Sequence, residues 1–208
     1  MKRLIKIIIK IVMRHVDLLQ PVYLTRETQT PIPLMQFLAF RLGLRRHIYW
    51  PTHDSSVIVD PGRIHIGIET SPGLMPGCYI QGTNGIDIGD YTQIAAGVSI
   101  ISANHALTDN RKHIPCLPVR IGSHCWIGTH AVILPGVRLG SYTIVGAGSV
   151  VTKSFENGYQ VLAGNPAKVI RVLNPAECVL HRSPAEFHGF VSDAEFPAYR
   201  NRHLKSLT

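Results

Sequence analysis

The sequence has few cysteines and no paired ones. Its four cysteines contain no Cys-x-x-Cys pair: Cys78, Cys116, Cys125 and Cys178. This spacing argues against a disulfide-stapled secreted fold and against a zinc site built from cysteine pairs. We therefore expect reduced, mostly structural cysteines in a cytoplasmic protein, with no disulfide and no bound metal.

The sequence also lacks a long uninterrupted apolar run. A transmembrane helix needs about 20 apolar residues, and the apolar N-terminal segment, residues 1–16, is broken by lysines and arginines. It likewise lacks the unbroken apolar core of a secretory signal. As a helix it would carry a basic stripe, which leaves two alternatives open. It makes peripheral contact with the inner face of a membrane, or it packs against the protein or a neighbouring subunit.

Acidic residues are scarce, 13 against 21 lysines and arginines, and the formal net charge is +8. A basic chain can bind nucleic acid, but no recognisable nucleic-acid module is present and the charge is spread over the tails. We expect no nucleic acid as a partner. The excess charge is better suited to attracting an anionic small molecule.

A period of six residues is the strongest pattern that the sequence does contain. An aliphatic residue recurs at every sixth position: Ile121, Ile127, Ile133, Leu139, Val145 and Val151. This period fits neither an α-helix nor a strand, and is typical of a parallel β-helix in which three short strands make one triangular coil. The fifth positions are small or modest, which suits a narrow interior: Cys125, Ala131, Val137, Thr143 and Ser149.

The period also sets the expected boundaries. The same spacing continues upstream in Ile88, Ile94 and Ile100, so we predict an all-β fold with a β-helix domain over residues 56–172. Between Ile100 and Ile121 the count is not a multiple of six, which predicts a protruding loop over residues 103–118. We expect residues 1–55 to be helical and extended, and residues 173–208 to form an irregular tail.

Chemistry is expected in that loop, because polar loops on rigid scaffolds often carry function. It contains Asn104, His105, Asp109, Arg111 and His113. Its position alone would make His105 an ordinary surface histidine.

Several motifs change that interpretation. They are Ile100-Ile-Ser-Ala-Asn-His105, Val119-Arg-Ile-Gly-Ser-His-Cys-Trp-Ile-Gly128, Val132-Ile-Leu-Pro-Gly-Val137, Gly146-Ala-Gly-Ser-Val-Val-Thr-Lys153 and Gly164-Asn-Pro-Ala-Lys-Val-Ile170. The stretch over about residues 80–172 resembles the hexapeptide-repeat acyltransferases, in the branch of galactoside, maltose, xenobiotic and polysaccharide O-acetyltransferases. The resemblance implies a left-handed β-helix, a homotrimer with active sites between subunits, acetyl-CoA as donor and a carbohydrate acceptor.

The resemblance also assigns residues to the site. His105 is the implied catalytic base, with Asp87 and Asp109 as candidates for orienting it. The implied acetyl-CoA residues are Gly128, Thr129, Ala147, Thr152, Lys153, Lys168 and Arg171. The predicted acceptor residues are Gln81, Thr83, Asn84 and Trp126, although Asn84-Gly85 is equally a plain turn signal and Trp126 could simply pack against the loop.

Two other functions stay open at this point. One is an N-acyltransferase acting on an amino-sugar nucleotide. The other is a metal-dependent hydratase of carbonic-anhydrase type, which would need three histidines placed to bind zinc between subunits. His105, His124 and His130 are present, but the Gly-Asn-Pro-Ala-Lys segment favours acyl transfer.

Overall fold

The structure is a computed structural model that describes residues 19–44 and 47–207. The apolar N-terminal segment, residues 1–16, lies outside the described residues, so its two alternatives stay predictions. No helix within the described ranges is both long enough and apolar enough to cross a membrane.

Three parallel sheets form the body of the protein. The first sheet contains β1 (Val57–Val59), β3 (Tyr79–Gln81), β6 (Ser99–Ile101), β11 (Val132–Ile133) and β14 (Val150–Val151). The second contains β2 (Ile64–Ile66), β4 (Ile86–Ile88), β9 (Val119–Ile121) and β12 (Arg138–Leu139). The third contains β5 (Gln93–Ile94), β10 (Trp126–Ile127), β13 (Thr143–Val145), β15 (Gln160–Gly164) and β16 (Ala167–Val172), and only the β15–β16 pair is antiparallel.

The chain visits the three sheets in turn, so each circuit adds one coil to a triangular parallel β-helix. Parallel strands need a crossover connection, and the coil supplies it with the next two faces of the prism. Neighbouring coils are in strict register: Ile100 pairs with Ile133, and Ile133 pairs with Val151. The parallel β-helix predicted from the six-residue period is confirmed.

The repeat positions fill the interior of the prism. Every aliphatic residue of the six hexads is at most 4% exposed, and so are the fifth positions. Burying each such side chain contributes roughly 1.5–3 kcal/mol. The glycine that follows the aliphatic residue has a separate cause, since a Cβ on Gly122 would lie 2.4 Å from the Ser141 amide nitrogen of the next coil.

The corner between the second and third sheets is unusual. At the same position of five successive coils, a non-glycine residue adopts the left-handed backbone region, with φ from 47° to 57°. We call these residues the corner column: Glu69, Tyr91, His124, Tyr142 and Tyr159. Such φ values are uncommon outside glycine and asparagine, so packing between coils must stabilise this conformation.

The corner between the first and second sheets opens into the protruding loop. After β6 the chain forms a hairpin of β7 (His105–Ala106) and β8 (Asp109–His113), then returns to β9. Most side chains of the hairpin are exposed.

Helices and the C-terminal tail pack on the prism. The described helices are α1 (Gln20–Leu24), α2 (Leu34–Arg41) and α3 (Phe196–His203), and a two-stranded hairpin is formed by β17 (Phe187–His188) and β18 (Val191–Ser192). The irregular tail expected from the sequence is therefore ordered in part. Its aromatic residues explain the difference, because Phe196 lies in the main core and its ring stacks on Tyr49 at 5.9 Å.

Candidate functional site

Hydrogen bonds from the preceding coil hold the root of the loop. The Ser102 hydroxyl and amide both donate to the Gln81 carbonyl, at 2.7 and 3.0 Å, and the Ala103 amide donates to Gln81 Oε1 at 2.9 Å. Asn84 reaches the other end, where its Nδ2 donates to the Ile114 carbonyl at 3.1 Å. The predicted acceptor residues Gln81 and Asn84 thus fix both ends of the loop.

Thr83, the third predicted acceptor residue of this coil, is half-buried. Its hydroxyl donates to Asp60 Oδ2 at 3.1 Å. It therefore lies at the same corner as the loop root, where the chain passes from the first sheet to the second.

His105 stands at the start of the loop with an exposed side chain. Its ring lies against that of His113, with centroids 4.5 Å apart and planes at 33°. The strand pairing that joins His105 to His113 creates this contact across the hairpin. An exposed imidazole on a clamped loop can exchange protons with a bound substrate.

Neither candidate carboxylate is hydrogen-bonded to His105 within the described part of the protein. Asp109 instead binds Arg111 at 2.9 Å and Lys112 at 3.7 Å, and the hydrogen bond from Arg111 holds the pKa of the Asp109 carboxyl below its usual value. Asp87 lies on the second sheet, in register with His65 and Arg120. Neither acid therefore makes the orienting contact in this structure, although Asp109 lies on the same hairpin, paired with Ala106.

The predicted acetyl-CoA residues divide between two corners and one strand. Gly128 and Thr129 follow β10 and Ala147 follows β13, so all three lie at the corner between the third and first sheets. The Thr129 carbonyl accepts from the Gly148 amide at 2.8 Å, which ties these two coils together. A Cβ on Gly128 would lie 2.7 Å from the Val145 carbonyl oxygen, so glycine allows the close stacking.

The remaining predicted donor residues lie elsewhere. Thr152 and Lys153 follow β14 at the corner between the first and second sheets, two coils beyond the loop root, and both are exposed. Lys168 and Arg171 lie exposed on β16, opposite Ala163 and Val161. Within this chain, Gly128 and His105 are therefore separated by the full width of the first sheet.

Trp126, the fourth predicted acceptor residue, lies on the third sheet between Gln93 and Ile144. It is 57% exposed, and the third sheet is opposite the corner that carries His105. Trp126 borders a cavity of about 350 Å³ together with members of the corner column. Trp126 and His105 are therefore not brought together within this chain.

The corner column forms a stack of rings that the sequence reasoning missed. Tyr91, His124, Tyr142 and Tyr159 follow one another at centroid distances of 5.1, 5.0 and 5.1 Å, with planes within 18°. That spacing is close to the separation of neighbouring strands. Partial burial lowers the pKa of His124. His124 and Tyr142 are 18 residues apart, which is one full coil, and this spacing could have predicted that their rings stack.

The three histidines considered for a zinc site lie at three different corners of the prism. His105 lies between the first and second sheets, His124 between the second and third, and His130 between the third and first. Across residues 19–44 and 47–207, no cluster of three or more side chains could hold a metal ion.

Comparison with known proteins bears on this arrangement. Residues 118–153 match the family model described as "Bacterial transferase hexapeptide (six repeats)". A candidate acetyltransferase of Dictyostelium discoideum is 49% identical over 89 residues, which are 41% of this chain and 46% of that protein. The chain spans about half the length of the curated relatives it matches.

Solved structures show the same fold. A hexapeptide-repeat acetyltransferase of Vibrio cholerae, complexed with acetyl coenzyme A, is 27% identical with a TM-score of 0.51, over 66% of this chain and 78% of that one. A maltose O-acetyltransferase of Clostridium difficile is 25% identical with a TM-score of 0.53, over 79% and 97%. The resemblance predicted from the motifs is confirmed: this chain is similar to the hexapeptide-repeat acetyltransferases and carries their repeat over residues 118–153.

Proposed function

We propose that the protein transfers an acetyl group from acetyl-CoA to a hydroxyl of a saccharide, with His105 as general base. The observation that carries the proposal is the exposed His105 imidazole on a loop clamped by Gln81 and Asn84. Two similar structures support the donor and the acceptor class, because one holds acetyl coenzyme A and the other is a maltose O-acetyltransferase. The acceptor is a surface polysaccharide, its precursor or a nucleotide sugar.

The chemistry needs a base at this position. An alcohol is a weak nucleophile at neutral pH, and an imidazole with an ordinary pKa of about 6.5 can remove its proton during attack on the thioester carbonyl. The same imidazolium then protonates the leaving thiolate. This assistance is typically worth about 10²–10⁴-fold in rate, and the remainder comes from holding alcohol and thioester in one ternary complex. No covalent acyl-enzyme is required.

The distribution of the donor residues supports a trimer. Gly128, Thr129 and Ala147 lie at one edge of the first sheet, and His105 and Lys153 lie at the other. In a left-handed β-helix trimer whose first sheets face the threefold axis, one edge of each protomer meets the opposite edge of its neighbour. Such an assembly reunites the two halves of the predicted site in three equivalent clefts.

Exposed cations complete the donor site. Coenzyme A carries several phosphate charges, and Lys153, Lys168 and Arg171 are all exposed on coils beyond the loop root. Arginine offers a fork of donors that matches phosphate, while lysine acts as a point charge. These side chains bind the phosphates, and the pantetheine arm follows main-chain groups along the coil edge.

An acceptor screen with radiolabelled acetyl-CoA tests the proposal. We expect label in neutral sugars or nucleotide sugars, as an ester that mild alkali removes. Label that resists alkali on an amino sugar would establish N-acylation instead. A His105→Ala protein serves as the blank, and equal labelling by that variant would refute the assigned base.

A further inference from the structure

Glu69 is a buried acid at the start of the corner column. Its side chain is 4% exposed, and neither carboxylate oxygen has a hydrogen-bond partner among the described residues. Burying an unpartnered carboxylate is costly, and such groups in folded proteins usually have partners. The backbone around it is fully engaged, since the Glu69 amide donates to the Phe187 carbonyl and the Glu69 carbonyl accepts from Gln93 Nε2. The backbone hydrogen bonds therefore fix the position of Glu69, and its carboxylate has no hydrogen-bond donor among the described residues.

Glu69 lines one of two adjoining cavities, and the neighbouring rings line the other. Glu69 lines a cavity of about 540 Å³ under the segment that follows α1, and the 350 Å³ cavity beside Trp126 shares Gln29 and His181 with it. We call the two together the recess. His181 stands between them, with Nε2 4.0 Å from Glu69 Oε2, too far for a hydrogen bond.

The recess offers an acceptor to hydroxyl donors. An ionised carboxylate only accepts hydrogen bonds, and two adjacent hydroxyls can satisfy both of its oxygens. Arg26 and Glu27 line the same cavity as an ion pair at 3.2 Å, so the Glu69 carboxylate is the acid there that has no hydrogen-bond partner among the described residues. The other wall is aromatic, with Tyr91, His124 and the exposed Trp126, and aromatic rings pack well against the apolar face of an amphipathic ligand.

We propose that the recess is a saccharide-binding site in which ligand hydroxyls donate to Glu69 and a sugar ring packs against Trp126. The proposal rests on the proposed function only in that the acceptor is a saccharide.

The position of the recess says which part of an acceptor it binds. From His124 in the corner column the chain passes through β10, which contains Trp126, to Gly128 at the edge of the first sheet. The recess therefore lies at the outer end of a path across the third sheet toward the proposed cleft. A unit bound there is remote from the acetylated hydroxyl, which indicates an extended saccharide rather than a monosaccharide.

Binding of neutral disaccharides tests the site directly. Maltose, lactose and cellobiose are titrated into the full chain and followed by tryptophan fluorescence, because Trp126 is 57% exposed and the second tryptophan, Trp50, is fully buried. We expect at least one sugar to bind, and Glu69→Gln to weaken binding about tenfold to a hundredfold, as loss of a charged hydrogen-bond acceptor does. Glu27→Gln is the matched control, since Glu27 lines the same cavity but is 79% exposed in its side chain; it should change the Kd by less than about twofold.

Thermal unfolding separates binding from structure. A carboxylate that serves a ligand should cost stability, so Glu69→Gln should keep or raise the Tm while binding falls. A lowered Tm together with lost binding would assign Glu69 a structural role and overturn the proposal. So would unchanged binding in Glu69→Gln, an equal loss in Glu27→Gln, or no binding of any of the three sugars by the wild type at millimolar concentration.

The acetyl-transfer assay on the wild type is scored separately. Sugar binding without any acetyl transfer would retire the proposed function and leave the recess standing. If the wild type transfers acetyl groups and the Glu69→Gln protein binds sugars normally, the proposed function would stand and the recess proposal would be overturned.

Discussion

The loop corner and the corner column belong to the same coils, yet they present their histidines differently. His105 at the loop corner is exposed and touches one neighbouring ring, that of His113. His124 in the corner column is sandwiched between Tyr91 and Tyr142, and its burial lowers its pKa. Two histidines 19 positions apart therefore have different surroundings: one ring is exposed on the loop, and the other is stacked between two tyrosines.

The cause lies in the repeat. Where the period is kept, each corner residue stacks on the coils before and after it. Its side chain therefore packs against the corner residues of those coils, about 4.8 Å away. Where the period is broken, the chain leaves the stack and its side chains face solvent or a partner. Regular coils thus supply rigidity, and the interruption supplies reactive groups.

The largest expected effect comes from breaking the loop corner. His105→Ala should lower kcat for acetyl transfer by about 10²–10⁴-fold, with an unchanged Tm because the side chain is exposed. Steady-state kinetics with the acceptor found by the screen and a thermal melt provide the two measurements.

Tyr159→Ala is the control in the corner column, at a residue that does not line the recess. It should lower the Tm and leave kcat within about twofold, because it removes a ring contact with Tyr142 far from the loop corner. An equal loss of activity in both variants would mean that catalysis is not confined to the loop corner.

Much of the fold could be predicted because the interior obeys one simple rule. The prism is too narrow for anything but branched aliphatic and small residues, so residues such as Ile133 and Ala131 repeat with the coil. The loop could be predicted for the same reason, because the spacing between Ile100 and Ile121 is not a multiple of six residues. The placement of His105 on the loop follows from this, but its role in catalysis comes from the family resemblance and stays a prediction.

The arrangement of the candidate site could not be predicted, because it depends on which residues of different coils lie at the same edge of a sheet. Sequence motifs group Gly128 with Lys153, whereas the structure places them at opposite edges of the first sheet. No sequence pattern marks Glu69, because the burial of its carboxylate depends on how the C-terminal tail packs there, where the Phe187 carbonyl accepts from the Glu69 amide. The tail itself packs through Phe196 and other aromatics, which have no period to detect.

The next largest effect is expected on the stability that ring stacking gives the corner column. Tyr142 stacks on His124 and on Tyr159, and its hydroxyl donates to the Val179 carbonyl. Tyr142→Ala should lower the free energy of unfolding by about 2 kcal/mol, since each aromatic pair contributes roughly 0.5–1.5 kcal/mol. Tyr142→Phe keeps the stack and should lose only about half as much. Urea unfolding curves measure both, and equal losses would show that the hydroxyl, not the stacking, stabilises the column.

A smaller effect is expected at the donor side of the loop corner. Lys153 is exposed two coils beyond the loop root. Lys153→Ala should raise the KM for acetyl-CoA about tenfold with little change in kcat, as loss of one phosphate contact would. Lys205→Ala, on the C-terminal tail, is a control that removes the same charge elsewhere. An unchanged KM in Lys153→Ala would count against the donor site.

The smallest effect is the pH dependence of the corner column. Burial lowers the pKa of His124, with smaller contributions from His181 and Arg182 in the same direction and from Asp90 against it. The folded state therefore binds the proton less well than the unfolded state, whose histidine pKa is about 6.5. Stability from this residue is present above that pH and is lost as the pH falls through it toward the lowered folded value.

His124→Phe keeps a ring in the stack and removes the titrating group. Between about pH 7.5 and pH 5 the variant should lose less stability than the wild type, by a fraction of a kcal/mol. A residual loss is expected in both, because burial also lowers the pKa of His65. Chemical denaturation at the two pH values measures the difference. Identical pH dependence in the two proteins would mean that burial in the corner column does not lower the pKa of His124.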